Sequence, residues 1–568
     1  MKVSNKIHKG RGTRRFRNIA LVTVLIIISL IVYFNIATKI SPPEIKDMSV
    51  LEVVRENPSP DFYKIKNSWL RKNKFGLWEM YLEGSPFEIG VINGKLTKEL
   101  IKIQEDAFVE QINTLIPSKS YLKFLKYFIS WFNRDIDSYI PEEYLMEIYG
   151  VSFSASDDYN FIGNNYERML NYHGAHDIGH ALQSLALVGC TSFASNLNSK
   201  DSTMVIGRNF DFYINETFAK NKIVAFINPD NGYRFMYVTW ASMIGVVSGM
   251  NEKGLTVTIN AAKSDIPTKA AMPISLLTRE ILQYAGNIEQ AIEIASKHKI
   301  FVSESIMVGS AADKNAVIIE KSPSTQDFYS TNANNLICSN HFQSEVFRKN
   351  IKDQNNIDES VSEYRELRCE QLIEEKENLD YLAVAEILRD YKGLDDRNIG
   401  IGNEKTMAQM ISHHSIIFLP EQLNTWVSTF PYQLGDYLSY NLNQVLSEAI
   451  YVDSNTLLYD SVLTIPQSPF LGSNDYLKLI EFRKLRKELK HNTNKSIQLK
   501  NDVEFIEEFI NSNPEYYQTW VLAGDYYYNQ KEYQKALVYY KKALTKEFEN
   551  ITYKSSVEER IIEIENGS

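Results

Sequence analysis

An uncharged apolar segment near the amino terminus constrains this 568-residue chain more than any other feature. Residues 19–37 contain no charged side chain, and a run of 19 residues is close to the minimum helical span of a bilayer core. The preceding residues 1–17 carry seven lysine and arginine side chains and no acidic one. Cations on this flank predict a single-pass membrane anchor with a cytoplasmic amino terminus and an extracytoplasmic (periplasmic) body.

Two other interpretations of the segment stay open. A cleaved signal peptide would have the same basic flank, although no good small-residue cleavage site follows the apolar run. A buried helix of a soluble protein would not explain the adjoining cations. The prolines of Ser41-Pro-Pro43 stop a helix and begin the linker to the body.

Charge argues against a nucleic-acid partner. Beyond residue 17 the chain has 54 basic and 71 acidic side chains, a formal charge of −17, because the 61 basic residues include seven in the first 17. Phosphate contacts need clustered lysine and arginine, which such a body lacks. The three cysteines cannot form a disulfide framework.

Apolar patterning predicts an α+β body. Residues 45–190 read as mainly helical, and residues 200–345 alternate in the manner of short strands interrupted by one pair of amphipathic helices. Strands followed by paired helices and more strands favour helices packed on antiparallel sheets. The predicted strands are Met204–Tyr213, Lys222–Asn228, Arg234–Trp240, Gly245–Met250, Gly254–Asn260, Ser305–Gly309, Ala316–Lys321 and Leu336–Phe342, and the helices are Ile274–Tyr284 and Ile288–His298.

The last 88 residues, 481–568, have a different pattern. Their small and aromatic residues fall at the spacings of one tetratricopeptide-like repeat: Trp520, Gly524, Tyr527, Ala536, Tyr540 and Ala543. One repeat cannot bury its own face, so we expect it to pack on neighbouring helices or to cap the body. Binding of a protein partner is a minor alternative. The fragment Gly400-Ile-Gly402 lacks the third glycine of a dinucleotide-binding loop.

An ordered series of short motifs surrounds Cys190. A lone Gly-Cys pair is weak evidence, because free cysteines are usually buried for packing. Here the pair Gly189-Cys190 is followed in order by five further motifs: Gly207–Asp211, Asn251–Leu255, Asn260, Cys338–Phe342 and Tyr364–Arg368.

This series resembles the penicillin (isopenicillin N) acyltransferase family of N-terminal-nucleophile hydrolases, and more distantly the choloylglycine hydrolases. The resemblance begins near Gly84–Gly94 and continues through His413–Phe418 and Trp426–Thr429 to about residue 440, roughly two-thirds of the chain. It implies a four-layer αββα sandwich over residues 75–480. Before this body we expect three segments: a cytoplasmic segment (1–18), the transmembrane helix (19–37) and a linker with a helical lead-in (38–74).

The resemblance also implies self-cleavage between Gly189 and Cys190, which makes Cys190 the first residue of a second, associated chain. An α-amino group has a pKa near 8 and can take the thiol proton without a histidine. Arg208 would favour the thiolate. Asp211 would orient the new α-ammonium group. A structural salt bridge between Arg208 and Asp211 is the plainer alternative.

Carboxamide side chains are candidate donors to the oxyanion formed during attack on an acyl carbon. Asn340 matches the family position best and Asn260 comes second, although either could cap backbone groups at a strand end. Arg365 matches an arginine of the polar network around the nucleophile, or is one cation on a solvated helix. The resemblance implies no cofactor and no metal, and a small acylated amide or thioester as substrate.

A histidine cluster before the expected cut offers a metal-binding alternative. His173, His176, Asp177 and His180 lie within eight residues, and His176 and His180 would share one face of a helix. The cluster lacks a metalloprotease glutamate, so a surface or fragment-interface role is favoured. The adjacent His413 and His414 lie in a predicted strand and are expected to face opposite sides.

Two other functions compete with the autoproteolytic acyltransferase or amidohydrolase. One is a papain-like hydrolase that uses Cys190 or Cys338, the latter beside Asn340 and His341. The other is a catalytically inactive, membrane-tethered scaffold that binds partners through its helical tail. An extracytoplasmic body has little access to coenzyme A thioesters, which favours amide hydrolysis over acyl transfer.

Overall fold

The structure is a computed structural model of the chain. It describes residues 9–115, 118–174, 177, 189–196, 203–212, 216–263, 270–349, 357 and 360–567. Within these residues the chain is α+β, with helices at both ends.

The first helix, α1 (Lys9–Ala37), contains the apolar segment. Its stretch Phe16–Ala37 reaches a mean hydropathy of 2.7 and no part of that window is buried in the protein. By length and composition this helix is a candidate membrane span. A signal sequence near an amino terminus would have the same properties.

Two sheets form the body. The first has eleven strands, all antiparallel to their neighbours except for the parallel pair Trp78–Gly84 and Ile223–Pro229. In chain order its strands are β1 (Glu56–Ser59), β2 (Phe62–Ile65), β3 (Ser68–Lys72), β4 (Trp78–Gly84), β7 (Ile223–Pro229), β8 (Phe235–Thr239), β9 (Ser248–Asn251), β10 (Leu255–Ala261), β11 (Glu304–Ser310), β12 (Asn315–Lys321) and β13 (Gln326–Tyr329), and they are neighbours in that order.

The second sheet has seven antiparallel strands in the order β14-β5-β6-β15-β16-β17-β18. The strands that carry the candidate nucleophile region, β5 and β6, are the second and third in this order. The strands are β5 (Thr191–Ser195), β6 (Val205–Asp211), β14 (Asn335–Cys338), β15 (Ser412–Leu419), β16 (Asn424–Ser428), β17 (Tyr437–Asn441) and β18 (Asp460–Ile465).

The helices cover the outer faces of the sheets and form the carboxyl-terminal tail. After α1 they are α2 (Pro86–Leu96), α3 (Lys98–Leu115), α4 (Lys119–Phe132), α5 (Glu142–Ser152), α6 (Asn165–His173), α7 (Glu216–Lys220), α8 (Ile274–Tyr284), α9 (Ile288–Lys297), α10 (Ser362–Glu374), α11 (Tyr381–Leu388), α12 (Leu442–Glu448), α13 (Asn474–Asn494), α14 (Asp502–Ser512), α15 (Tyr517–Asn529), α16 (Tyr533–Ala543) and α17 (Ile551–Glu565).

Side chains that alternate along a strand belong to different hydrophobic clusters of the core. On β7, Ile223 and Ala225 pack with α2, α5 and α8, whereas Val224 and Phe226 pack against residues of the second sheet such as Ile416. The far face of the second sheet packs on α10 and α11. Side chains of opposite parity therefore bury both faces of each sheet. The four-layer order implied by the resemblance remains a prediction.

Several predicted elements differ from the structure. Residues 56–84 form β1 to β4, so the expectation of a mainly helical segment and helical lead-in is wrong there. β1 and β2 have only four residues each, and β3 and β4 bury consecutive residues on both faces, so none of the four shows a clear period-two pattern. The predicted strand Leu336–Phe342 ends at Cys338, which leaves Asn340 in the following loop. The boundary expected after residue 480 falls inside α13.

The tail packs through a glycine on the body. Gly400 has φ +90°, and a Cβ at this position would lie 2.4 Å from the Cα of Tyr516. The glycine pair that superficially suggested a nucleotide loop is therefore explained by backbone conformation and close approach. Within the tail, Gly524 allows α15 and α16 to pack closely, because an added Cβ would meet the Tyr540 ring at 2.6 Å.

We predict that Gly400→Ala destabilises the full chain by about 1–3 kcal/mol more than Gly402→Ala. Both glycines have positive φ, so both substitutions introduce backbone strain, but the nearest atom to an added Cβ at Gly402 lies 3.7 Å away. Denaturant unfolding of the two variants in detergent measures the difference. Equal losses would show that the Tyr516 contact is unimportant.

Candidate active site

Cys190 lies at the start of β5, between the two sheets. The neighbouring strand β6 pairs with β5 so that Ser192 lies opposite Arg208, and β6 also pairs with β15 on its other side. The Cys190 side chain is buried. Burial raises the pKa of its thiol to about 11, and the Arg208 cation opposes that rise. The uncut chain therefore holds a protonated thiol at neutral pH.

Arg208 connects the cysteine to the first sheet. Its Nη2 lies 3.8 Å from the Cys190 Sγ and donates to the Ile259 carbonyl oxygen at 2.6 Å. Its Nη1 contacts the hydroxyl of Ser248 and lies 3.2 Å from the His414 Nε2. Because a fully buried guanidinium with these fixed partners cannot turn away, its charge stays beside the sulfur.

Asp211 closes the other side of the Gly189–Cys190 junction. Its backbone oxygen accepts a hydrogen bond from the Gly189 N–H at 3.1 Å and lies 3.8 Å from the Cys190 Sγ. Its carboxylate accepts from the Ser412 hydroxyl. Burial raises the pKa of the Asp211 carboxyl to about 7, which the Ser412 hydroxyl and two arginines counteract.

Gln409 holds the carbonyl of the same junction. Its Nε2 donates to the Gly189 carbonyl oxygen at 2.8 Å and lies 3.5 Å from the Asp211 Oδ2. A Cβ on Gly189 would lie 2.4 Å from that nitrogen, so only glycine fits here without a shift. Gln409 was not among the predicted site residues, because no motif or local spacing in the sequence connects it to residue 189.

The two candidate carboxamides bridge neighbouring elements. Asn260 at the end of β10 donates to the Cys338 carbonyl oxygen at 2.8 Å and accepts from the Ser192 hydroxyl at 3.0 Å. Asn340 donates to the Ala261 carbonyl oxygen at 2.9 Å. Both residues therefore lie where the two sheets meet beside β5, and each uses one amide hydrogen on a backbone carbonyl.

Arg365 is buried on the inner side of α10, unlike a cation on a solvated helix. Its Nη2 contacts the Oδ1 of Asn340 and its Nε donates to the Thr191 hydroxyl at 3.2 Å. Burial lowers the pKa of its guanidinium to about 10. Arg365 thus links a candidate donor to the residue that follows Cys190.

The helical tail fixes the loop that completes the site. The Glu404 carbonyl oxygen accepts from Arg365 Nη1 at 3.3 Å, while the Glu404 carboxylate accepts from the Tyr516 hydroxyl at 2.6 Å. One residue further on, Lys405 Nζ lies 2.6 Å from Glu547 Oε1. The tail therefore supports the loop that carries Gln409.

The side chains of His413 and His414 do not have the predicted directions. β15 has an irregular register between Ser412 and His414, and both imidazoles lie beside Phe210, with ring centroids 6.3 and 5.3 Å away. The expectation that they face opposite sides is wrong, because the bulge removes the strict alternation of the strand. His414 is buried among cations, and both effects lower its pKa.

His173 has no open ring nitrogen for a metal. Its Nδ1 lies 2.7 Å from the Met169 carbonyl oxygen and its Nε2 accepts from the Ile244 N–H at 3.0 Å. Burial lowers its pKa to about 4. His176 and His180 of the same predicted cluster lie outside the described residues. The described residues contain no group of three metal-ligating side chains.

Cys338 and His341 do not form the cysteine–histidine pair that the papain-like alternative requires. His341 directs Nδ1 to the Ser362 hydroxyl at 2.8 Å and Nε2 to the Glu366 carboxylate at 2.9 Å. The Cys338 Sγ instead lies 3.8 Å from the Ser339 carbonyl oxygen, and burial raises the pKa of its thiol well above the usual value.

Comparison with known proteins confirms the resemblance. Residues 197–427 match the family model described as acyl-coenzyme A:6-aminopenicillanic acid acyl-transferase. This region holds five of the six candidate site residues and begins after Cys190. The central part of the chain is therefore similar to this acyl-transferase family.

The curated relatives are distant. An uncharacterized protein of Archaeoglobus fulgidus is 26% identical over 44% of this chain and 44% of its own length. The N-acylethanolamine-hydrolyzing acid amidase of Caenorhabditis elegans is 24% identical over 38% of this chain and 59% of its own length. Protein dcd1B of Dictyostelium discoideum is 22% identical over 43% of this chain and 50% of its length. The chain spans about half the length of these relatives.

Solved structures also match. The Caenorhabditis elegans ortholog of N-acylethanolamine-hydrolyzing acid amidase has a TM-score of 0.30 at 18% identity, over 41% of this chain and 93% of that one. A conjugated bile acid hydrolase from Clostridium perfringens has a TM-score of 0.32 at 13% identity, over 45% of this chain and 92% of that one.

We predict that ionised Asp211 destabilises the uncut chain. A carboxyl whose pKa rises from 3.8 to about 7 on folding binds a proton more tightly in the folded state. Stability should therefore fall as pH rises from about 4 to about 7, by an amount on the order of a few kcal/mol. Unfolding of Cys190→Ala across this range, compared with Cys190→Ala/Asp211→Asn, isolates the contribution. Identical pH profiles would contradict it.

Proposed function

We propose that this protein is an autoproteolytic cysteine N-terminal-nucleophile enzyme, an acyltransferase or amidohydrolase that cleaves an amide or thioester through an S-acyl-enzyme. The observation that carries the proposal is the junction itself. The Cys190 sulfur lies against Arg208, while the carbonyl of the preceding Gly189 accepts from Gln409. A structural cysteine needs neither a buried cation nor a donor on the peptide before it.

Self-cleavage begins with the Cys190 thiol. The sulfur attacks the Gly189 carbonyl carbon, and the Cys190 nitrogen leaves with a proton, so that the peptide becomes a thioester. Water then hydrolyses the thioester and gives a Gly189 carboxylate, a free Cys190 thiol and a free α-amine. Gln409 would donate to the oxyanion that develops on Gly189.

Turnover uses the new amine. It takes the thiol proton, the thiolate attacks the substrate acyl carbon, and the leaving amine or thiol departs with that proton. Water or an amine acceptor then releases the acyl group from sulfur. Arg208 lowers the cost of the thiolate, and Asp211, which has a buried carboxyl close to this chain end, would pair with the α-ammonium form.

The carboxamides serve the oxyanion of turnover. We assign the donation to the substrate oxyanion to the carboxamide of Asn340 or of Asn260, each of which also donates to a backbone carbonyl oxygen of a neighbouring element. Arg365 would hold Asn340 in place through its Oδ1. An uncharged carboxamide donates without adding a titrating proton to the site.

The amino-terminal helix bears on where the protein works and on the choice between hydrolysis and acyl transfer. We infer that α1 anchors the protein, with the basic residues in the cytoplasm and the body outside. Hydrolysis of amides suits a compartment with little acyl-coenzyme A. The domain limit at 190 and a protein partner for the tail are proposals, and the tail contacts with Glu404 and Lys405 favour a supporting role.

The test of self-cleavage is the intact mass of the purified chain. We expect fragments of 189 and 379 residues from the wild type, since the chain has 568 residues and the cut precedes Cys190. Cys190→Ala should remain whole, whereas Cys338→Ala should be cut like the wild type.

An unbroken chain with activity would contradict the proposal and favour a papain-like enzyme. A cut chain whose amino-terminal cysteine resists an electrophilic acyl probe would favour the scaffold. A screen of N-acyl amides against acyl-coenzyme A separates hydrolysis from transfer.

We predict that Gln409→Leu slows self-cleavage by about 10²–10³-fold, the usual cost of losing one oxyanion donor. The rate is measured by pulse-labelling and gel separation of the fragments. Gln433→Leu is the matched control, because Gln433 is equally buried. Equal rates in Gln409→Leu and the control would exclude this role.

A further inference from the structure

Helix α4 presents an aromatic surface that the body does not cover. Within the described residues, five of its rings are 38–60% exposed. They repeat at helical spacing and therefore share one side of the helix: Tyr121, Phe124, Tyr127, Phe128 and Trp131. We refer to them as the aromatic face. Adjacent exposed rings on this scale mark an interaction surface on a soluble body.

Other residues of α4 hold the helix on the body. Leu125 is buried, and the Phe132 ring packs edge-on against Phe301 at 6.0 Å between centroids. The Lys126 Nζ donates to the Phe161 carbonyl oxygen at 2.6 Å. Phe161 is itself 67% exposed. The aromatic face is therefore displayed by a fixed helix.

The end of α1 places the aromatic face at the edge of a membrane. Phe34 stacks on Trp131 at 5.9 Å and meets Tyr127 edge-on at 5.8 Å, and Tyr33 lies 6.3 Å from Trp131. Tyr33 and Phe34 lie in the last turns of the candidate span, where aromatic side chains favour the membrane–water boundary.

The charge of α4 also suits a membrane surface. The α4 sequence contains three lysines and no acidic residue, in a chain whose formal net charge is −10. Arg134 follows the helix, and its guanidinium lies 4.5 Å over the Trp131 ring. A basic helix with aromatic rings on one side is typical of helices that lie in the plane of a bilayer surface.

We propose that the aromatic face of α4 inserts into the outer surface of the anionic lipid bilayer that α1 spans. The helix, about 21 Å long, would lie flat at the headgroup boundary, with its rings below and its body-facing residues above. Two contacts then hold the body in one orientation, where α1 alone would let it swing. The proposal uses α1 for its geometry and is independent of the chemistry at Cys190.

The test measures depth with single fluorophores in the full chain, reconstituted in vesicles of phosphatidylcholine and phosphatidylglycerol. Cys338 and Cys369 are buried and the test is made in the Cys190→Ala chain, so an NBD label reports an introduced cysteine, with the Cys190→Ala chain alone as background. Phe124→Cys probes the aromatic face. Val462→Cys is the control on an 88% exposed apolar residue of β18, and Ile27→Cys probes α1.

We expect doxyl-labelled lipid to quench the label at 124 and aqueous iodide to quench it about five-fold less than at 462. In Phe128→Asp/Trp131→Asp, lipid quenching at 124 should fall while quenching at 27 stays unchanged.

Equal iodide quenching at 124 and 462 would overturn the proposal. Shielding of 124 from both quenchers would also overturn it, because a second copy of the chain would then cover the face. The label at 27 tests the anchor separately, so failure of the anchor is distinguishable from failure of the α4 surface.

Discussion

The contact between the Arg208 guanidinium and the Cys190 sulfur organises the centre of this protein. A buried cation is costly unless several acceptors satisfy it. The carbonyl of Ile259, the hydroxyl of Ser248 and the imidazole of His414 supply those acceptors from both sheets. The two sheets must therefore pack in this arrangement to satisfy the buried Arg208 cation. The Cys190 thiol is positioned beside the guanidinium as a consequence.

The junction before Cys190 has opposing requirements. Burial disfavours the thiolate and the Asp211 carboxylate, yet the proposed chemistry uses both groups as anions. A new α-ammonium group would compensate Asp211 at the moment the chain is cut. On this view the uncut chain carries an electrostatic cost that its own cleavage relieves, which would couple maturation to the stability of the site.

The helical tail and α4 extend this arrangement outward. The tail holds the loop of Glu404, whose carbonyl oxygen reaches Arg365, so a region without candidate chemistry supports the polar network. At the other end, α4 contacts α1 through Trp131 and gives the body a second surface for a membrane. The proposed active site is thus supported by the tail, and the proposed membrane surface lies on other helices of the chain.

Local sequence determined the apolar segment and most strands from residue 204 onward, because apolar runs and alternation are properties of neighbouring residues. The order of the motifs also identified Cys190, Arg208 and Asp211 as candidates for one site, and in the structure they lie side by side. Only the tertiary structure identified Gln409, which lies 220 positions from its partner Gly189. The same holds for the burial of Arg365 and the bulge beside His413. These depend on elements that meet only after folding, and no local period encodes such meetings.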